Sequence, residues 1–309
     1  MGARSEPIEL TDMNDKWSKQ KRTVNMYSNE SLKKLIQAEL AKRLFTQNPH
    51  AEPLEGYPKY VQSPEQVLVP GVKFEEIEPD LRAGDGSELE SIRGNPPKFQ
   101  AAHSSAALVI NTFGSFRRHP SALRLMRHSG FNKIRFEYKC PTGLSRSPNL
   151  DAVFMKRNEI VAIESKLTEP LEGHPAEFSD NYLPLVEQLA DQGWMDMFDM
   201  LRREPEHYSA LDAAQLVKHY LGLKRTFPGH TISLIYLYWD PRNAMTIPFF
   251  AKHLFEAWDF SRRVSYSMIP VSYHEVWYDL ARTCPSHIET LRARYDFPVC
   301  IDHLGLNDV

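Results

Sequence analysis

Between residues 149 and 167 two apolar runs are separated by a short polar turn, and each run carries charge where a sheet least tolerates it. Leu150-Asp151-Ala152-Val153-Phe154 holds one acid, and Val161-Ala162-Ile163 leads straight into Glu164-Ser165-Lys166. Strand side chains alternate, so Glu164 and Lys166 share one face and Ser165 takes the other. Met155-Lys156-Arg157-Asn158-Glu159 is a polar turn in which Asn158 tolerates the left-handed conformation, so the spacing predicts a hairpin of strands 149–155 and 159–167. With Arg157-Asn158 as the loop, or a longer loop in the same register, Lys156 faces Glu159 and Asp151 faces Glu164 across the ladder. Opposed like charges weaken a ladder unless a cation lies between them, and Mg²⁺ is the usual solution. The plainer alternative leaves both acids at exposed strand ends, paired with Lys166 or surface arginines.

The surrounding pattern is that of a mixed α/β sheet covered on both faces. Leu32, Leu35, Ile36, Leu40 and Leu44 predict a helix over 30–45, capped by Ser28 or Asn29. Eight of the chain's 22 prolines fall between Pro49 and Pro97, together with a Gly84-Asp85-Gly86 turn, which argues for an extended segment without long regular elements. Ser104 or Ser105 then starts a helix to about Phe116, and residues 131–139 alternate as a strand with Glu137 on its polar side. After the hairpin come helices at 184–203 and 210–225, a strand at 231–239, a helix at 248–263, a strand at 265–272 and a helix at 273–282. The expected domains are an N-terminal extension, 1–97, and an α/β domain, 98–309.

Composition narrows the function classes. With 37 basic and 40 acidic residues the formal net charge is −3, so nucleic-acid binding would have to come from a local patch. Cys140, Cys284 and Cys300 form no zinc pattern and suit a reducing compartment. No stretch reaches the length of a membrane span and the polar start has no signal-peptide core, so the expectation is a cytoplasmic protein without membrane partners.

Asp151 following Pro148, with Glu164-Ser165-Lys166 on the next strand, resembles the PD-(D/E)xK nuclease superfamily, whose restriction-endonuclease-like core runs helix, three strands, helix, strand. Pro97-Lys98-Phe99, His103-Ser104-Ser105-Ala106-Ala107-Leu108 with Asn111 and Phe113, and Phe136-Glu137-Tyr138 are similar to a group of bacterial restriction-endonuclease-like proteins. The resemblance covers roughly residues 84 to 280. It implies that Asp151 and Glu164 ligate Mg²⁺ or Mn²⁺, that the carbonyl of Ser165 completes the ligand set, and that DNA is the substrate. Phosphodiester hydrolysis needs a positioned water and neutralisation of charge on phosphorus oxygens, for which carboxylates, a metal and Lys166 suffice. Whether Lys166 is itself the base stays open, because a nearby cation lowers its pKa and neighbouring carboxylates raise it.

Glu137 is a further candidate ligand, or a partner of neighbouring basic residues. Glu88 is a candidate for the acid that related enzymes draw from the region of their first helix, although Ser87 capping a short turn is the simpler account. Ser105 and Asn111 are candidate substrate contacts, the latter because an asparagine inside a helix is mildly unfavourable. Asp212, Gln215 and His219 share a helical face, from which Gln215 and Lys218 reach a phosphate backbone unless the face is merely solvated. Arg117, Arg118, Arg124, Arg127, Lys133 and Arg135, with Lys218, Lys224 and Arg225, would supply phosphate contacts if they lined one cleft. His103, His119 and His128 match no metal motif and are expected to be structural.

The reading is a Mg²⁺-dependent DNA endonuclease, with a binding or complex-forming module of the same fold as the runner-up. A glycosidase-like carboxylate pair is the third, and it gives Lys166 no task. Many nucleases of this fold dimerise to cut both strands, so a homodimer is carried as an expectation, although no heptad or exposed apolar stripe argues for it.

Overall fold

The structure, a computed structural model, describes residues 28–84, 87–144 and 147–301. Its centre is a five-stranded sheet of β5 (Lys133–Lys139), β6 (Asn149–Lys156), β7 (Glu159–Lys166), β8 (Thr231–Tyr238) and β9 (Met268–Ser272), in that spatial order. β5, β6 and β7 pair antiparallel, while β8 and β9 continue parallel to β7. The change follows from the connections. Two residues join β6 to β7, enough only for a hairpin, whereas β7 reaches β8 through α4 (Tyr182–Leu189), α5 (Gln192–Arg203) and α6 (Ala213–Thr226). β8 reaches β9 through α7 (Pro248–Arg263), and a separate small hairpin of β3 (Arg124–Leu125) and β4 (His128–Ser129) precedes β5.

Both faces of the sheet are buried. Val161 and Ile163 of β7, with Ile235 and Leu237 of β8, join the apolar layer under α3 (Ser105–Phe113) and α8 (Tyr273–Leu280). Ile160 and Ala162, with Leu234 and Tyr236, join the opposite layer under α5 and α6. This two-sided burial is why these strands read as continuous apolar runs. α1 (Asn29–Gln47) is capped by the Ser28 side chain and buries Leu32, Ile36, Leu40 and Leu44 in the same layer as α3.

The structure departs from the sequence reading in three places. Within the proline-rich segment lie a small hairpin, β1 (Pro53–Leu54) with β2 (Tyr57–Val61), and a helix, α2 (Phe74–Ala83), that contains Pro79. α2 holds because its buried Asp80 is an anchor: its carboxylate accepts from Arg117, from Arg135 at 2.8 Å and from the Phe136 backbone N–H at 3.0 Å. These bonds outweigh the one helical hydrogen bond that a proline removes. The helix expected over 184–203 is two helices, broken at Ala190 and Asp191. An unanticipated α9 (Pro285–Tyr295) opens with proline at its first position and buries Ile288, Leu291 and Tyr295. The expected Gly84-Asp85-Gly86 turn falls partly outside the described residues, as does the polar segment 1–27.

His253 of α7 is 2% exposed and its Nε2 lies 2.8 Å from the Tyr236 hydroxyl. Burial, reinforced by the Lys166 charge, pushes its pKa from 6.5 down to about 3. Below pH 6.5 the unfolded chain therefore binds a proton that the folded chain refuses, and stability falls. Between pH 8 and 5.5 wild type should lose on the order of 1 kcal/mol that His253→Gln, which keeps an acceptor but does not titrate, retains. Denaturant titrations at the two pH values check this, and equal losses in both proteins would refute it.

Candidate active site

The site is built where the β6–β7 ladder ends. Pairs run from Lys156 opposite Glu159 to Ala152 opposite Ile163, and the next position in that register sets Asp151 against Glu164. On the other edge of β6, Phe136 pairs with Ala152 and Tyr138 with Leu150, leaving Glu137 beside Asp151. Three carboxylates thus stand in one row across three strands. Glu137 and Glu164 are buried, and Glu137 has a φ of +45°, a conformation a non-glycine residue adopts only when its surroundings hold it there. Regular pairing also yields: the Ser165 N–H donates to Asp151 Oδ2 at 2.7 Å. In an extended strand a residue's N–H and C=O point to the same edge, so the Ser165 carbonyl faces the Asp151 side as well.

The charges are compensated from the next layer. Lys166 Nζ lies 2.7 Å from Glu164 Oε1 and donates to Gln215 Oε1 at 2.6 Å. Gln215 sits in the first turn of α6, where Asp212 caps the helix by accepting from the Gln215 N–H. One turn further, His219 places Nδ1 3.2 Å from Glu164 Oε2, although neither atom finds a well-aligned hydrogen bond. On the reverse face Ser165 Oγ meets the Tyr273 hydroxyl at 2.7 Å and donates to the Ser105 carbonyl at 3.2 Å. The end of β7 is therefore gripped from both sides.

These contacts sort the protonation states. Burial alone raises the pKa of Glu164, but Lys166 and then His219 overcome it and hold the carboxyl below its ordinary range. Burial, followed by the charges of Glu164 and Glu137, holds Asp151 well above its own. Glu137 is raised too, by burial and then by Glu88 and Glu164. Burial depresses Lys166, but Glu164, Glu169 and Asp151 among its neighbours reverse the sign and keep it cationic. Glu88 is pushed up to about 7, chiefly by burial.

Glu88, Glu137, Asp151, Glu164, Lys166, Gln215 and His219 line one cleft of about 1070 Å³. Of the residues expected from sequence, it brings together Asp151, Glu164, Ser165, Lys166, Glu137, Ser105, Gln215 and Lys218. It also contains two residues that the sequence reading names without assigning to the site, Glu88 and His219. Glu88 faces the cleft, while Ser87 is no side-chain cap but a turn residue with φ +54° whose carbonyl accepts from the Glu90 N–H. His219 belongs to a face that looked solvated but is 2% exposed. Its signal was spacing: it lies one turn after Gln215.

Asn111 is a correction. It is fully buried in α3, where Oδ1 accepts from the Val69 N–H at 2.9 Å and Nδ2 donates to the Val67 carbonyl and the Tyr295 hydroxyl. An asparagine whose donors and acceptor are satisfied by the core has nothing to offer a substrate. The basic clusters are a second correction. Arg117 and Arg135 bind Asp80, Arg118 binds Glu76, Lys224 lies 3.6 Å from Asp191, and Arg225 donates to the Thr142 carbonyl. Of both groups only Lys218 lines the cleft.

The donor set of this cleft, carboxylate oxygens beside a backbone carbonyl, suits a hard divalent cation. Among the described residues no three His, Cys, Asp or Glu side chains converge as a ready-made cage. Mg²⁺ does not require one, since it commonly keeps several waters and binds through one or two carboxylates plus substrate phosphate.

A family model described as restriction endonuclease associating with ARP matches residues 33–296. Comparison with curated proteins and with solved structures found no match.

Two substitutions separate the roles of the buried polar groups. Because the Glu137 pKa is raised, the unfolded chain ionises it before the folded chain does, and its presence costs stability as pH rises above 4.5. Glu137→Gln should stabilise the protein by about 0.5–2 kcal/mol at pH 8 and by less at pH 5, read from thermal melts. Asn111→Ala should cost roughly 2–4 kcal/mol in chemical denaturation by orphaning core partners, and leave nucleic-acid affinity at folded concentrations unchanged.

Proposed function

The chain belongs to the family of restriction endonucleases associating with ARP, and from that premise we propose that it is a divalent-metal-dependent nuclease that hydrolyses phosphodiester bonds in DNA. Its fold is restriction-endonuclease-like, and a nuclease-like function comes with the family. The observation that carries the finer reading is the convergence of Asp151, Glu164 and Lys166 at one end of a hairpin, inside a cleft.

Asp151, Glu164 and the Ser165 carbonyl would hold Mg²⁺ or Mn²⁺, which when bound supplies Lewis-acid stabilisation of phosphorus oxygens and a more acidic water. The chain's own groups do the positioning. Lys166, fixed between Glu164 and Gln215, is placed to contribute a preorganised positive charge and a donor that orients the attacking water. Gln215 sets the ammonium's direction. Ser165, tied to Tyr273 and Ser105, fixes the strand on which both neighbours sit. Glu137 and Glu88 add acidic groups able to accept a proton or hold a water at the cleft wall. The family's description names association with ARP, and such a partner belongs to the proposal for this chain.

A second reading is a nucleic-acid-binding module of the same fold with little cleavage. Incubation with duplex and single-stranded DNA in Mn²⁺ or Mg²⁺ separates the two. The nuclease reading expects cleavage that falls at least about 100-fold in Asp151→Ala, Glu164→Ala and Lys166→Ala proteins with unchanged circular dichroism. Cleavage that survives Asp151→Ala would sink it, and binding without cleavage by wild type would establish the module.

A further inference from the structure

The cleft extends past Lys166 to an aromatic wall that the hydrolytic groups do not use. Phe178, in the loop before α4, and Tyr182, in its first turn, line it together with Lys218 of α6. The Lys218 ammonium stands 5.4 Å from the Phe178 ring centroid and 5.9 Å from that of Tyr182. Phe178 is held edge-on against Tyr182 at 5.8 Å and Phe198 at 4.8 Å, yet keeps part of its surface toward the cleft. Lys218 is free of ion pairs among the described residues, unlike Lys166.

Charge limits what can bind here. Six carboxylates among the described residues line the cleft (Glu88, Glu137, Asp151, Glu164, Glu177 and Asp212) against two lysines, Lys166 and Lys218. No arginine lines the cleft among the described residues, and Arg117, Arg118 and Arg135 pair with Asp80 and Glu76. Double-helical binding draws most of its affinity from rows of cation–phosphate contacts, which the lining of this cleft does not provide. Stacking of a base on an aromatic side chain is independent of such rows. A volume of about 1070 Å³ is beyond an ion with its waters, and holds about one or two nucleotides.

We propose that the cleft takes an unpaired DNA strand, with one base seated against Phe178 and Tyr182 and an adjacent phosphate on Lys218. The substrate class is then single-stranded DNA or the unpaired segment of a branched or opened duplex. This inference rests on the nuclease reading of the carboxylates and adds the substrate to it. Lys218, pre-set over two rings, gives the strand its polarity past Lys166, and the aromatic wall reads a base face without selecting its sequence.

The test is fluorescence anisotropy on full-length Asp151→Asn protein, beside cleavage by wild type. The probes are a short single-stranded oligonucleotide, the blunt duplex of the same sequence, and strands carrying one abasic site at successive positions. The single strand should bind at least about tenfold more tightly than the duplex, and an abasic site at one position should weaken it about tenfold. Phe178→Leu, which keeps apolar packing but removes the ring, should weaken the intact strand similarly and leave the strand abasic at that position unaffected. Lys218→Gln should lower the salt slope by about 0.7. Duplex binding as tight as single-strand binding, or equal losses by Phe178→Leu on intact and abasic strands, would overturn the proposal. If wild type cuts duplex in Mn²⁺ while single strands go unbound, the substrate inference falls and the nuclease reading stands; if nothing is bound or cut, both fall.

Discussion

Glu164 is a carboxylate 2% exposed to solvent that stays ionised, and the rest of the site is arranged around that fact. Without help its burial would cost several kcal/mol. Lys166 at 2.7 Å supplies the compensating charge, His219 stands 3.2 Å from the other oxygen, and both carry constraints of their own. Lys166 must leave the sheet on the same face as Glu164, which strand alternation guarantees. His219 and Gln215 must come from a helix lying across that face, which fixes where α6 packs. The same alternation turns Ser165 to the reverse face, where Tyr273 and Ser105 hold it.

Stability and chemistry pull against each other in this cleft. Three acids side by side on adjacent strands weaken the sheet, and the backbone at Glu137 is twisted to φ +45° to seat the outermost one. Such an arrangement is tolerated because the sheet behind it is covered by two apolar layers, with Phe154, Val161 and Ile235 on one side and Val153, Ala162 and Leu234 on the other. Membership in the restriction-endonuclease family fits this division of labour. A rigid mixed sheet carries the acids, and helices and loops around it set what can reach them.

Much of this was legible in the chain itself. The two-residue Arg157-Asn158 loop fixed the hairpin register, and with it the opposition of Asp151 and Glu164. Helix starts at Ser28 and Ser104 followed from their capping side chains. Illegible were the features whose cause lies far away in sequence. α2 survives its proline because Asp80 meets Arg117 and Arg135 across the fold. Asn111 looked like a site residue because a polar group inside an apolar helix signals either a cleft or a distant partner, and periodicity cannot tell them apart. His219 had the opposite fate: a polar stripe opposite an apolar one reads as solvent-facing unless another charged surface is packed upon it.

Local chemistry alone therefore determined the strand pair, its register and the acids and lysine it presents, because hydrogen bonding and side-chain alternation over eighteen residues leave few alternatives. Tertiary structure decided which remaining polar residues join them. Arg117 and Arg135 went to bury Asp80, Glu88 and His219 entered the cleft, and Phe178, Tyr182 and Lys218 line its far end. Charges in water look alike in sequence, and only the packing of distant elements fixes which opposite charge each one meets.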